Sequence, residues 1–227
     1  MTGYIRELFT SVQGEGIKLG KRQTFIRFLG CNLSCNYCDT PDTQKKEGPF
    51  VYAGKILPNP VTVDLLLDKL DADEISITGG EPLLQMEFLV ELCERMIGLD
   101  KEIYLDTNGT LPDELSKIIK YIDTVSLDFK IPTATGRPKL WNEHASCLEI
   151  AAQKAVYVKM VINDNLLPQE LDTACNIIKK VDKNIILVLQ PISGSVIPNI
   201  LDIQKTALRI LKDVRIIPQV HTYLGLA

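Results

Sequence analysis

From residue 61 onward the chain alternates short β-branched runs with helical stretches, and that alternation limits it to a few folds. Val61–Leu70 reads as helical, with Val63, Leu66, Leu67 and Leu70 on one face. Glu74–Thr78 is a strand stopped by Gly79-Gly80, and Leu84–Ile97 is a helix with Leu89, Leu92, Cys93 and Met96 at core spacing. Glu102–Leu105 is a strand stopped by Asp106-Thr-Asn-Gly109. Strands at Thr124–Phe129, Ala155–Ile162, Ile185–Gln190 and Val214–Ile217 follow, with helices at Asp113–Tyr121, Glu143–Gln153, Pro168–Val181 and Asn199–Lys212. Such alternation implies an α/β fold with a parallel sheet and right-handed crossovers. Polar and glycine residues sit at strand ends: Thr78 to Glu81, Asp106 to Gly109, Asp128 to Lys130, and Gln190. Carboxyl ends of parallel strands are where such sheets place their sites.

Upstream, Tyr4–Phe9 and Gln23–Leu29 read as strands around a loop, Gln13-Gly-Glu-Gly16. Residues 41–60 hold Pro41, Gly48, Pro49, Gly54, Pro58 and Pro60, an irregular insertion in what reads as one domain over 1–227. The second strand runs directly into Cys31-Asn-Leu-Ser-Cys35-Asn-Tyr-Cys38. Three thiolates at C-x3-C-x2-C spacing can hold three corners of a [4Fe–4S] cluster and leave the fourth iron without a protein ligand. A structural zinc site needs a closed set of four ligands. The loop has no fourth cysteine, but His144 or His221 can return in space, so zinc stays open at this stage. Cys93, Cys147 and Cys175 form no second motif, and two of them lie on apolar helical faces as small buried hydrophobes.

The 227 residues are 45% hydrophobic and 24% charged with a net charge of −4, so no basic footprint points to nucleic acid. No apolar run reaches the roughly 20 residues of a membrane span, and the N-terminus has no signal-peptide pattern. A soluble, cytoplasmic protein is expected, and six cysteines in a chain of this size fit a reducing compartment.

With its β–α units, the cysteine motif resembles the radical S-adenosylmethionine (SAM) superfamily. The resemblance implies a partial, incomplete parallel β/α barrel of the radical SAM type, with SAM chelating the open iron. Tyr37, Cys38 and Asp39 match the family's SAM-contacting stretch. Gly79-Gly80-Glu81-Pro82 matches the segment that meets the amino end of SAM, although a plain turn after a strand reads the same way. A glycine pair there permits close backbone approach, and a carboxylate accepts from an ammonium. Ser126, Asp128 and Lys130 are strand-end polar residues that the resemblance turns toward SAM, against a plain surface pair for Asp128 and Lys130. Gln190 matches a segment near SAM.

Phe9-Thr-Ser-Val-Gln-Gly-Glu-Gly16, Arg27, Asp39-Thr40 and the ending Gln219-Val-His221 narrow the likeness further. They resemble the 7-carboxy-7-deazaguanine synthases, which convert 6-carboxy-5,6,7,8-tetrahydropterin to 7-carboxy-7-deazaguanine with loss of ammonia. The product feeds the deazapurines of modified tRNA bases, queuosine and archaeosine. A pterin is flat, with amide and amine edges that Val12, Gln13, Gly14 and Glu15 can pair with. Arg27 offers a two-pronged donor for the substrate carboxylate, or else a snorkelling surface arginine. The resemblance makes Thr40 a Mg²⁺ ligand, where the residues alone read as a helix cap. Thr78, His221 and the terminal Ala227 fall on the substrate side by the same resemblance. It also implies an electron donor such as flavodoxin or ferredoxin, a homodimer, and no membrane or nucleic-acid partner. A glycyl-radical activating enzyme shares the cysteine spacing and the glycine turn. A zinc or iron–sulfur binding module is the non-catalytic alternative.

Overall fold

The computed structural model describes residues 1–226. Strands β1 (Thr2–Gly3), β2 (Ile5–Val12) and β3 (Arg22–Phe28) come first, then β4 (Phe50–Tyr52), β5 (Lys55–Leu57) and β6 (Val61–Thr62). Helices and strands then alternate: α1 (Val63–Leu67), β7 (Glu74–Gly79), α2 (Met86–Ile97), β8 (Glu102–Thr107), α3 (Pro112–Ile118) and β9 (Thr124–Asp128). The series continues with α4 (Pro132–Thr135), α5 (Trp141–Ala151), β10 (Ala155–Ile162), α6 (Pro168–Asp182) and β11 (Ile186–Pro191). It closes with α7 (Ile200–Ala207), β12 (Val214–Ile216) and α8 (His221–Leu224). Ten strands form one sheet in the order β12-β11-β10-β9-β8-β7-β3-β2-β4-β5, and from β12 to β3 every neighbour is parallel. The two edges stay apart, so the sheet is a partial β/α barrel.

Side-chain alternation along the strands gives the sheet two chemically different faces. Ile75 and Ile77, Ile103 and Leu105, Val125 and Leu127, Val158 and Met160, and Leu187 and Leu189 join the helices in one buried core. Each such side chain stabilises the fold by about 1.5–3 kcal/mol. The residues between them, among them Thr78, Asp106, Asp128, Lys159 and Gln190, occupy the other, concave face. Tyr104, Tyr157 and Val188 fill its floor as a separate small cluster, with the two tyrosine hydroxyls 2.6 Å apart.

The structure departs from the sequence expectations in three places. β2 runs antiparallel to β3, an exception to the parallel sheet that the strand–helix alternation implies. The segment between them is too short for a crossover, which takes a dozen or more residues, and it closes through Gln13 N to Lys21 O at 2.7 Å and Gly20 N to Gln13 O at 2.8 Å. Within residues 41–60, β4 and β5 pair as a hairpin. Its two-residue turn, Ala53-Gly54, has φ of 48° and 73°, the left-handed backbone that matches strand twist. Helices α1 and α7 are shorter than expected, although Thr62 does cap α1 by accepting from Leu65 N. Among the described residues no helix is long and apolar enough to cross a membrane.

Candidate active site

A cleft of about 530 Å³ lies over the concave face at the carboxyl ends of the parallel strands. Cys31, Cys35 and Cys38 line it, on the loop that leaves β3. That loop is braced from outside. Gly30 N and Cys31 N donate to Thr43 O and Gln44 O at 2.7 and 3.0 Å. Asn32 bonds Asn108 at 2.9 Å and Thr110 at 2.8 Å, and Arg137 Nε donates to Ser34 O at 2.7 Å. Burial raises the Cys31 and Cys35 thiols above their ordinary range, so metal binding has to displace protons there.

The donor set fits a cluster. Each thiolate of a cubane binds a different iron, so three sulfurs can border one cleft without converging on a point. Among the described residues no three His, Cys, Asp or Glu side chains close on a single ion. Neither of the histidines that could have supplied a fourth zinc ligand closes such a site. His144 is buried with its ring stacked on Phe129 at 4.8 Å, and its Nε2 accepts from Lys130 N at 3.2 Å. Burial lowers it to about 4, so it stays neutral. His221 packs against Gly14, where any Cβ would overlap its ring.

Facing the cysteines is a layer of charge. Arg27 Nε donates to Glu7 at 2.8 Å, and its guanidinium lies 5.7 Å from the centre of the Phe9 ring. Lys130 Nζ sits 2.7 Å from Asp128 and 3.1 Å from the Tyr37 hydroxyl, over the Tyr37 ring. Lys159 Nζ sits 2.8 Å from Glu15, 3.5 Å from Asp106 and 3.6 Å from Asp128. Burial opposes the charge on both lysines, but the neighbouring carboxylates outweigh it and hold each well above the ordinary lysine range. Burial also works against the Glu15 carboxylate, yet Lys159 and Gln219 pull it down to about 2. Burial and repulsion from Glu15 and Asp128 raise Asp106 despite Lys159. Five carboxylates on the lining (Glu7, Glu15, Asp39, Asp106, Asp128) face three cations (Arg27, Lys130, Lys159). The surplus negative charge attracts cationic ligands.

Most of the residues singled out in the sequence meet here. Val12, Gln13, Gly14, Glu15, Arg27, Thr78 and His221 border the cleft together with Tyr37, Asp39, Thr40, Gly79, Gly80, Asp128, Lys130 and Gln190. Asp128 Oδ1 and Gln190 Oε1 are buried acceptors without a partner among the described residues, the kind of atom a ligand's donors satisfy. Thr40 precedes the short helical turn Pro41–Thr43 without capping it by its side chain. Its hydroxyl meets only Asp39, at 3.4 Å.

Two residues expected at SAM stand behind the lining instead. Glu81 is fully buried, and its carboxylate accepts from Leu83 N at 3.1 Å, Thr107 Oγ1 at 2.9 Å and Asn108 N at 2.8 Å. Ser126 is fully buried in β9, opposite Tyr157 and Asp106 in the neighbouring strands. The glycine pair also makes room for the chain itself. A Cβ on Gly79 would overlap the Phe28 backbone, and one on Gly80 the Gly30 carbonyl. Ala227 lies outside the described residues.

Sequence reasoning missed Glu7 and Lys159 as site residues, and marked Asp106 only as a strand-end polar residue and Gln219 only as part of the closing motif. Lys159 did carry a signal, as a lone charge inside the apolar strand Ala155–Ile162, where a buried amine needs partners. Gln219 stood in the closing Gln219-Val-His221 without a role of its own; its Nε2 donates to Glu15 at 2.7 Å and to Asp39 at 2.8 Å, contacts that only the fold creates.

Comparison with known proteins agrees with this geometry. The family model of the radical SAM superfamily matches residues 25–181. The 7-carboxy-7-deazaguanine synthase of Geobacter sulfurreducens is 37% identical over 97% of this chain and 96% of its own length. That of Archaeoglobus fulgidus is 36% identical over 99% of both. Among solved structures, QueE from Escherichia coli shares the fold with a TM-score of 0.66 at 22% identity, covering 97% of this chain and 95% of that one.

Proposed function

Because this chain belongs to the radical SAM superfamily and, within it, to the 7-carboxy-7-deazaguanine synthases, we propose an assignment of its cleft to ligands. The reaction is conversion of 6-carboxy-5,6,7,8-tetrahydropterin to 7-carboxy-7-deazaguanine with release of ammonia. The comparisons do not favour a glycyl-radical activating enzyme or a zinc module. When bound, the cluster supplies one-electron chemistry to SAM.

Cys31, Cys35 and Cys38 hold the cluster. SAM lies along Tyr37, Asp39, Gly79, Gly80, Asp128, Lys130 and Gln190. The observation that carries this reading is the pair of unpartnered buried acceptors, Asp128 Oδ1 and Gln190 Oε1, in the same cleft as the three thiols. The ammonium and ribose hydroxyls of SAM are donors of the kind those atoms lack. Glu81 serves this side by holding the ends of β7 and β8 together from behind, and the Ser126 hydroxyl, unpartnered among the described residues, lies beneath Asp106 and Asp128.

On the other side, Val12, Gln13, Gly14 and Glu15 take the pterin edges, with Thr78 and His221 beside them. Glu7 occupies Nε of Arg27, which leaves the two terminal amino groups of the guanidinium for the substrate carboxylate. Mg²⁺ sits at Thr40, supported by the uncapped hydroxyl and the surplus of carboxylates. A hard ion that keeps most of its waters needs few protein ligands. Flavodoxin or ferredoxin supplies the electron, the enzyme works as a homodimer in the cytoplasm, and its product serves tRNA modification.

Anaerobic reconstitution tests the reading. The loaded protein should carry about four irons per chain. With SAM, reductant and the carboxy-tetrahydropterin it should form 7-carboxy-7-deazaguanine, and faster with Mg²⁺ than with a chelator. A four-iron protein that makes none of this product overturns the assignment.

A further inference from the structure

Lys159 is the node where the two sides of the cleft meet. It rises from the middle of β10, 5% exposed, and one ammonium serves three carboxylates on three different elements. Glu15 belongs to the Gln13–Gly16 loop, Asp106 is the penultimate residue of β8 and Asp128 ends β9. Gln13 is fixed to Lys21, Gly20 and Gln23 and Gly14 to Val220, but among the described residues the Glu15 carboxylate at the loop's tip is held only by Lys159 and, at 2.7 Å, by Gln219. Asp128 is shared between Lys159 and Lys130 and keeps one oxygen unpartnered. The contact to Glu15 is shorter than the other two, so the ammonium is unequally divided.

We propose that Lys159 is a positioning residue that couples SAM binding to pterin binding. A ligand whose donors engage Asp128 reduces that carboxylate's hold on Lys159. The ammonium then bonds more strongly to Glu15 and Asp106, which steadies the Gln13–Gly16 loop against the second ligand. SAM therefore tightens the pterin, and by linkage the pterin tightens SAM by the same factor. This coupling rests on the assignment of SAM to the Asp128 side and the pterin to the Glu15 side. Neither ligand has to touch Lys159.

The test uses reconstituted holoenzyme with its cluster oxidised, so that SAM binds without turnover. Calorimetry gives the pterin affinity with and without saturating SAM, and hydrogen exchange follows peptides covering residues 12–20 in the same two states. In the wild type, SAM should tighten pterin about fivefold or more and slow exchange over Gln13–Gly16. Lys159→Met should bring the coupling factor to one and abolish the SAM-dependent protection, and Lys159→Arg should restore part of both. A purely structural lysine would weaken pterin equally with and without SAM, and that result overturns the proposal. So does wild-type exchange over Gln13–Gly16 that SAM leaves unchanged, a readout that does not depend on the variant folding. If the wild type binds SAM but not the pterin, the substrate assignment fails, and the exchange arm still decides the role of Lys159.

Discussion

Glu81 shows how a buried carboxyl writes itself into stability. Burial raises it to about 7 from an ordinary 4.5, even though three donors pull the other way. The folded protein therefore binds this proton more tightly than the unfolded chain. The resulting stabilisation is complete below pH 4.5 and is lost as pH rises through 7. At about 1.4 kcal/mol for each tenfold in proton affinity, the span is on the order of 3 kcal/mol. Urea unfolding of the cluster-free protein at pH 5 and pH 8 should show the wild type losing stability relative to Glu81→Gln across that interval. Arg27 makes a kinetic prediction. Arg27→Lys keeps the charge and loses the planar fork, so kcat/KM for the pterin should fall about tenfold to a hundredfold with the melting temperature little changed. Residues such as Cys31, Thr40 and Arg27 were legible because motif neighbours mark them. Asp106 was marked only by its place at a strand end, and Lys159 became legible only with strand register, since facing one cleft is a property of pairing and not of spacing.

At the scale of elements, the seam between β7 and the cysteine loop is a tight joint. Gly80 N donates to Phe28 O at 3.0 Å and Glu81 N to Gly30 O at 2.8 Å, with no room for a methyl group between them. Gly80→Ala should destabilise the fold by about 1–3 kcal/mol and lower the iron content after reconstitution, because the strand feeding Cys31 has to move. Gly98→Ala is the control. It ends α2 with φ of −61° and 3.3 Å to its nearest neighbour, and should change stability by less than about 1 kcal/mol. Thermal melts and iron analysis separate the two. The regular elements from β7 to β11 follow closely from apolar period and glycine stops. The N-terminal hairpin does not, because nothing local in Tyr4–Phe9 says which way its partner runs. The β4–β5 hairpin was hidden by a turn that uses Ala53 where glycine or asparagine is the familiar signal.

For the whole molecule, the cleft is finished by chain far from where it begins. Val220 N donates to Gly14 O at 2.8 Å, and Gln219 ties Glu15 to Asp39. From Gln219 to Leu226 no side chain is fully buried. A chain ending at Pro218 should therefore keep its melting temperature within a few degrees while KM for the pterin rises tenfold or more, on the order of a lost charge-assisted hydrogen bond. Calorimetric melting and steady-state assays check the two halves of that statement. The bridge also sets an order of events during translation. Asp39 precedes Gln219 by 180 residues, so the nascent cysteine loop waits on the order of ten seconds or more before that side chain is made. Throughout that interval the loop already has its braces from Asn108, Thr110 and Arg137, and stays open on the side that Gln219 later closes.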